Sequence, residues 1–540
     1  MMPRLDLPPS RAALVILALA FTLPGLVGHD PWKTFDAIAI EIVSQMHRTG
    51  DWLVPSIAGE PWLGDPPLYH WVGLAFAKTF AWILPLHGAV RLASGFFMLA
   101  ALLLAYLAAR NAAPAAEGHA SGAAAALVLG GSIGLIVHAH EAVPDLAALA
   151  ASCAALAFLA QAERRPVGAG FGFGVSLGVA FLSAGPVAPA ALGLAALAAH
   201  LVCAPLRTRR GMRFVAVALA AGMVVAASWP LVLALRAPEL AAHWWAALTQ
   251  PRGTFLGNLR YYVVTASWFA WPAWPLALWA LWSRRSLLLE PRIFAPLAAL
   301  AFSLGGIALA GPAQDINTML LLPPLALLAA PGIGLLRRGA ANALDWFGVM
   351  TFSFFAGLVW LGYIAMMTDL LPRLAKNFTR AAPGFVPQFE LVPFVVALAL
   401  LAGWLVLVAG VAPAPTRGAL RWAGGMALLW GTFATLWLPW ADYQKSYRPV
   451  ALQLKSKIPG GVQCIARSGL GVAQRAVLSY HAGIRTQPLD RKKPAACPLL
   501  IVQGDPRHER DAPGAGWTKL ADVGRPRDRD ERFRLYQQRP

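Results

Sequence analysis

Asp30-Pro-Trp-Lys-Thr-Phe-Asp36-Ala-Ile-Ala-Ile-Glu41, then Gly50-Asp51-Trp52-Leu-Val-Pro55, then Gly59-Glu60-Pro-Trp-Leu-Gly-Asp65-Pro66-Pro67-Leu-Tyr-His70-Trp71, form one polar, tryptophan-studded segment between two apolar runs. The run before it starts at Arg11 and the run after it near His87, and each is long enough to cross a hydrocarbon core, which takes roughly 20 residues. Tryptophan is concentrated where a chain lies at headgroup level. The segment therefore reads as a long loop, 29–88, lying on one face of a membrane.

Outward from that loop, apolar runs recur almost to Trp440. The 540 residues are 58% hydrophobic and 13% charged, a balance that a water-soluble core does not require. A single cleavable leader does not account for so many runs. Spans are expected to begin near 11, 87, 122, 144, 168, 187, 214, 268, 292, 317, 343, 391 and 421, about thirteen crossings. The formal net charge of +19 is distributed in short clusters between runs: Arg110, Arg164-Arg165, Arg207 with Arg209-Arg210, Arg284-Arg285, Arg337-Arg338, and Arg417 with Arg421. Starting from a cytoplasmic N-terminus with Arg4 and Arg11, all of these fall inside, as the positive-inside rule requires. No basic stripe interleaved with exposed aromatics appears, so nucleic acid is not an expected partner. On this topology the outer face holds 29–88, 140–144, 237–267, 311–317, 368–389 and the C-terminal tail.

The fold class is thus mainly α: a polytopic helical bundle over 1–440, followed by a small α/β domain over 441–540 on the periplasmic side of a bacterial inner membrane. In the tail, 461–466 reads as a strand, 470–481 as a helix and 498–502 as a second strand. Two of the four cysteines, Cys464 and Cys497, lie beside these strands; in an oxidising compartment they read either as a disulfide or as two thiols.

Ionisable groups held at a membrane surface are costly unless solvated or paired, which makes the acids of 29–88 functional candidates. Asp36 and Glu41 either approach a common cleft or start an interfacial helix, where acids suit the first turn. Asp51 before Trp52 marks a turn. A second cluster is His138-Ala-His140-Glu141-Ala-Val-Pro144-Asp145. His140-Glu141 leaves a divalent metal open, although two histidines two apart do not share a helix face; Asp145 after Pro144 is also placed to cap a helix. A third is His243-Trp244-Trp245 with Arg252, then Arg260-Tyr261-Tyr262, where an arginine either grips a lipid phosphate or snorkels to the interface.

The order of the first-loop motifs, with Val90-Arg91-Leu92, resembles the GT-C superfamily of membrane glycosyltransferases, in particular the branch of lipid A aminoarabinose transferases and protein O-mannosyltransferases. Asp145-Leu-Ala-Ala-Leu is similar to that family's second acidic loop, and the run 321–328 to its late proline-containing span. The resemblance implies transfer of one sugar from a polyprenyl-phosphate donor to a lipid, glycan or protein acceptor at an outward-facing cavity. It also implies an acid in the first loop that takes the acceptor proton. On it, Asp36 with Asp145 is the catalytic expectation, and Lys33, Glu41, Asp65, His70, His140, Glu141, Arg260 and Tyr261 line the substrate cavity. The chain departs from the pattern at three places. Phe35 stands at the catalytic aspartate's own position, Gly64-Asp65 replaces a Glu-Lys pair, and 314–319 lacks the usual basic residue and tyrosine. A rearranged enzyme, a non-catalytic binder of lipid-linked glycan, and a lipid or glycan transporter all fit. The absence of a clear internal repeat counts against the transporter.

Overall fold

The computed structural model describes residues 9–249, 254–368, 370–412, 414–462, 464–489, 497–504, 513–514, 516–526, 528 and 531–539; Arg4, Arg252 and Gln463 lie outside them. The first helices are α1 (Arg11–Thr22), α2 (Phe35–Thr49), α3 (Leu68–Phe80), α4 (Leu86–Ala112), α5 (Gly118–Gly130), α6 (Leu135–His138) and α7 (Asp145–Leu159). Ser10 starts α1 by accepting the Ala13 amide at 3.2 Å. Gly50, at φ 75°, closes α2 in the left-handed conformation that glycine adopts freely. Just beyond it, Asp51 Oδ1 accepts the amides of Leu53 and Val54 at 2.9 and 3.2 Å, so this acid shapes a turn.

Among the described residues seven helices are long and apolar enough to cross a membrane, among them α4, Arg209–Arg236 and Arg338–Met367; α1, α5, α7 and Val187–Val202 are shorter apolar helices. Arg209–Arg236 and Leu391–Gly410 leave Leu219, Met223, Val224, Leu405 and Val406 exposed, which suits a hydrocarbon solvent. Helices begin close to most of the expected starts. The clearest difference lies around 237–284, where the sequence reads as a loop followed by a span. The structure instead has Pro238–Thr249, Phe255–Phe269 and Ala273–Ser283, with Pro272 interrupting the last two.

Small residues let the helices approach closely. A Cβ at Gly170, Gly174 or Gly178 of the helix Pro166–Ala184 would lie 2.6 Å from Phe214 O, 2.3 Å from Ala218 O and 2.5 Å from Val225 Cβ. That four-residue spacing of glycines gives Arg209–Arg236 a groove to lie in, the arrangement that drives association where lipid offers no hydrophobic gain.

The first loop contains a two-stranded ribbon, β1 (Ser56–Ile57) with β2 (Glu60–Pro61). The tail forms a five-stranded sheet in the order β4-β3-β5-β7-β6, made of β3 (Ile465–Ser468), β4 (Gln487–Pro488), β5 (Leu499–Gly504), β6 (Trp517–Gly524) and β7 (Arg532–Gln538). β3 pairs in parallel with β4 and β5, whereas β7 is antiparallel to β5 and β6. Tyr447, Leu454, Val477, Leu499, Ile501, Phe533 and Leu535 form the core between sheet and helices. Cys464 and Cys497 are joined by a disulfide.

The tail packs on the first loop through polar contacts. Arg467 Nη1 reaches Glu60 at 2.7 Å and Arg475 bonds the same carboxylate. Gln45 donates to Ser479 at 3.4 Å, Ser446 to Asp30 at 2.6 Å, and the Trp32 indole to Asp442 at 2.8 Å. The loop and the α/β domain thus lie on one face of the bundle.

Candidate active site

Helix α2 presents Asp36 in its first turn, and Arg91 of α4 lies against it. The guanidinium donates from Nε to Oδ1 at 2.9 Å and from Nη2 to Oδ2 at 2.7 Å, with both side chains fully buried. The amides of Trp32 and Ala142 add bonds at 2.9 and 2.8 Å. Burial by itself would raise the Asp36 pKa, but the charge and hydrogen bonds of Arg91 hold it below the usual carboxylate range. Both oxygens are occupied, so Asp36 ties the loop to α4 and to the 138–145 segment. This geometry differs from that of the proton acceptor expected at Asp36, because a base needs a lone pair free toward the substrate.

Glu41 lies farther along α2 and is also closed. Its carboxylate accepts from Gln45, from Arg48 at 3.2 Å and from the Ala58 amide at 3.4 Å, while burial holds its pKa above the ordinary value. It braces the loop beneath the tail. Lys33 is turned to the tail as well, 3.3 Å from Glu531.

Asp65 and Asp145 are different. Asp65 precedes the prolines that start α3, and Asp145 opens α7 directly after Pro144. Both are half-buried, and among the described residues neither carboxylate receives a side-chain hydrogen bond. Burial, reinforced by the nearby Asp145 charge, pushes Asp65 up to about 7. His138 completes the cluster: its Nδ1 lies 3.0 Å from Glu141 Oε2 and its Nε2 lies 3.9 Å from Asp315 Oδ2. Burial lowers the His138 pKa, but Glu141, Asp315 and Asp145 together raise it above the ordinary value, which favours the imidazolium. Acids from the second and 311–317 loops thus face His138, and Asp65 of the first loop lies near Asp145.

This arrangement is held from below. Asn258 donates to the carbonyls of Ala308 and Gly311 at 3.0 and 2.8 Å, and Asn317 donates to the Tyr262 hydroxyl at 3.0 Å, fixing the turn that carries Asp315.

No sequence-family profile matches the chain, and no curated protein matches it in sequence. Its backbone matches that of ArnT from Cupriavidus metallidurans bound to undecaprenyl phosphate, with a TM-score of 0.68 over 97% of this chain and 96% of that one, at 18% identity. The same enzyme in the apo state gives 0.67 over 97% of both chains at 17% identity. The apo Archaeoglobus fulgidus oligosaccharyltransferase gives 0.47, at 13% identity, over 88% of this chain and 64% of that one. The chain has the ArnT-like GT-C fold.

Within the GT-C fold the remaining expected residues fall in several places. His140 is a core residue: Nδ1 lies 3.1 Å from Ile136 O, Nε2 lies 2.8 Å from Phe21 O, and its ring stacks on Trp430. Both ring nitrogens thus face backbone carbonyls, an arrangement that differs from the one expected of a substrate ligand. Among the described residues no three His, Cys, Asp or Glu side chains are arranged to hold a metal ion. His70 is buried with no partner for Nδ1, and burial lowers its pKa to about 3, so it is neutral. Arg260 and Tyr261 are exposed on the outer side of Phe255–Phe269, away from Tyr262, which is fully buried. Asn258, Tyr262, Asn317 and Asp315 are not among the residues that the sequence assigns to the site. A helical stripe of Asn258, Tyr262, Thr265 and Phe269 was there to be read, once 255–269 is taken as a helix.

Proposed function

We propose that the chain is a membrane glycosyltransferase that transfers a sugar from a polyprenyl-phosphate carrier to a hydroxyl of a lipid, glycan or protein acceptor. The reaction occurs at the face carrying the first loop and the tail, the periplasmic side of a bacterial inner membrane. The fold supports this reading over nearly the full chain, since ArnT binds undecaprenyl phosphate in the same architecture. The observation that carries it is the pair of neighbouring half-buried carboxylates, Asp65 and Asp145, neither of which receives a side-chain hydrogen bond among the described residues, with His138 near Asp145.

Asp65 is the base in this reading, with a pKa near the working pH. The acceptor oxygen attacks the anomeric carbon as its proton passes to Asp65. The bond from that carbon to the phosphate oxygen breaks, and the phosphate leaves with the electron pair, stabilised by protonated His138. Asp65 then loses its proton to water. Asp145 keeps the Asp65 pKa high and orients the acceptor. Asp36 positions the site through Arg91 and the Ala142 amide.

One observation favours a second reading, a non-catalytic binder of lipid-linked glycan: Phe35 packs against the bundle core and Asp36 is fully engaged, so α2 supplies no free acid. Transfer of radiolabelled sugar from a panel of polyprenyl-phosphate donors to envelope acceptors separates the two. Label transfer by wild-type membranes that disappears in Asp65→Asn supports the enzyme. Donor binding with no transfer from any donor supports the binder.

A further inference from the structure

The opposite end of the bundle, where the arginine clusters lie, contains a cavity of about 380 Å³. Its walls are the C-terminal end of α4, the N-terminal end of α5, the C-terminal end of the helix Leu322–Leu335 and residues 414–416. Most of the lining is alanine, leucine and isoleucine. At one side it carries Arg284 and Arg292, with Ser121 and Thr416 as neutral polar groups. Arg292 is compensated by Glu290, at 2.5 Å. Arg284 is half-buried and makes no ion pair or side-chain hydrogen bond among the described residues. Glu117, the acid in the lining, is exposed. Arg110 belongs to the α4 end, so a further basic residue flanks the cavity, while Arg417, in the helix following 414–416, is paired with Asp345 at 2.7 Å.

An apolar chamber between helices with an uncompensated guanidinium suits an amphiphile with an anionic head. Basic pockets between membrane helices hold lipid phosphates in this way, and an arginine grips a phosphate through two parallel bonds. We propose that this cavity is a binding site for an anionic phospholipid. Arg284 and Arg292 hold the phosphate, and the first part of an acyl chain enters between α4, α5 and Leu322–Leu335. The site lies at the other end of the bundle from the Asp65–Asp145 cluster and does not depend on the transfer reaction.

The test uses the full chain purified in a neutral detergent. Its apparent Tm is measured with added phosphatidylglycerol, with phosphatidylcholine of the same acyl chains, and with inorganic phosphate. A ligand that binds only the folded state raises the Tm. Phosphatidylglycerol is expected to raise it by several degrees, with little effect from the other two. Arg284→Gln with Arg292→Gln is expected to abolish the shift. A second variant fills the chamber without touching charge: a Cβ at Gly334 meets nothing within 4 Å, so Gly334→Leu enters open space and is expected to fold and to lose the shift. Equal shifts with phosphatidylglycerol and phosphatidylcholine, or a phosphatidylglycerol shift that survives in both variants, would overturn the proposal. A shift of the same size from inorganic phosphate would make the site one for free anions and would overturn the lipid assignment.

Discussion

Two carboxylates of the same loop, Asp36 and Asp65, differ in what their surroundings leave free. Asp36 accepts four hydrogen bonds and is paired with a buried arginine, so its charge is fixed. Asp65 is half-buried without a protein donor, and its neighbour Asp145 is also an acid. A saturated carboxylate stabilises a fold, because its desolvation is offset by its partners. An unsaturated one keeps a raised pKa and is available to a substrate proton. Acidity in a loop therefore does not identify a catalytic group until its donors have been counted.

The largest expected effect is on the open side. Asp65→Asn should reduce sugar transfer by about 10²–10⁴-fold, the usual range for a positioned acid–base group, with little change in the amount of folded protein. Transfer assays normalised to folded protein check this. On the closed side the loss should be in stability. Arg91→Ala leaves Asp36 as an unpaired buried charge, which costs about 3–5 kcal/mol and should lower the Tm and the yield in detergent. Transfer per folded Asp36→Asn molecule should fall much less than in Asp65→Asn. His138→Gln removes the imidazole that Glu141, Asp315 and Asp145 bias toward its protonated form, and losing its hydrogen bond to the leaving phosphate corresponds to roughly a 10–100-fold slower transfer. The smallest effect is expected at the seam with the tail. Glu60→Gln removes a partly exposed pairing with Arg467 and Arg475, worth about 0–1 kcal/mol, and should show as faster limited proteolysis of the tail with the bundle unaffected.

Much of the bundle was legible in the sequence because hydropathy reports the solvent directly: the starts at 11, 187, 292 and 391 coincide with helices within a residue. The segment 237–267 read as a loop because Trp244, Trp245, Arg260 and the tyrosines break the apolar signal, although the same side chains suit interfacial helices. In the tail β3, the helix Val472–Ala482 and β5 were visible through their apolar runs. β6 and β7 were not, since Lys519, Asp522, Arg532 and Arg534 interrupt their apolar signal, although Val523, Phe533, Arg534 and Leu535 are all buried. In the candidate site, Asp65 and Asp145 were visible as acids of two outer loops, but their proximity was not. The engagement of Asp36 was not, because Arg91 and the Ala142 amide come from distant parts of the chain. Likewise His140 reads as part of a short outer loop between two spans, and only the folded chain brings the Phe21 carbonyl to it.

The most direct test is the pH dependence of sugar transfer by the wild type and Asp65→Asn, reconstituted in vesicles with one donor and one acceptor. Asp65 must be ionised to take a proton, so the wild-type rate should rise with pH through an acid limb centred near 7. In Asp65→Asn that limb and most of the rate should vanish. A variant that keeps the wild-type rate and an unmoved acid limb would contradict the assignment of the base to the open carboxylate.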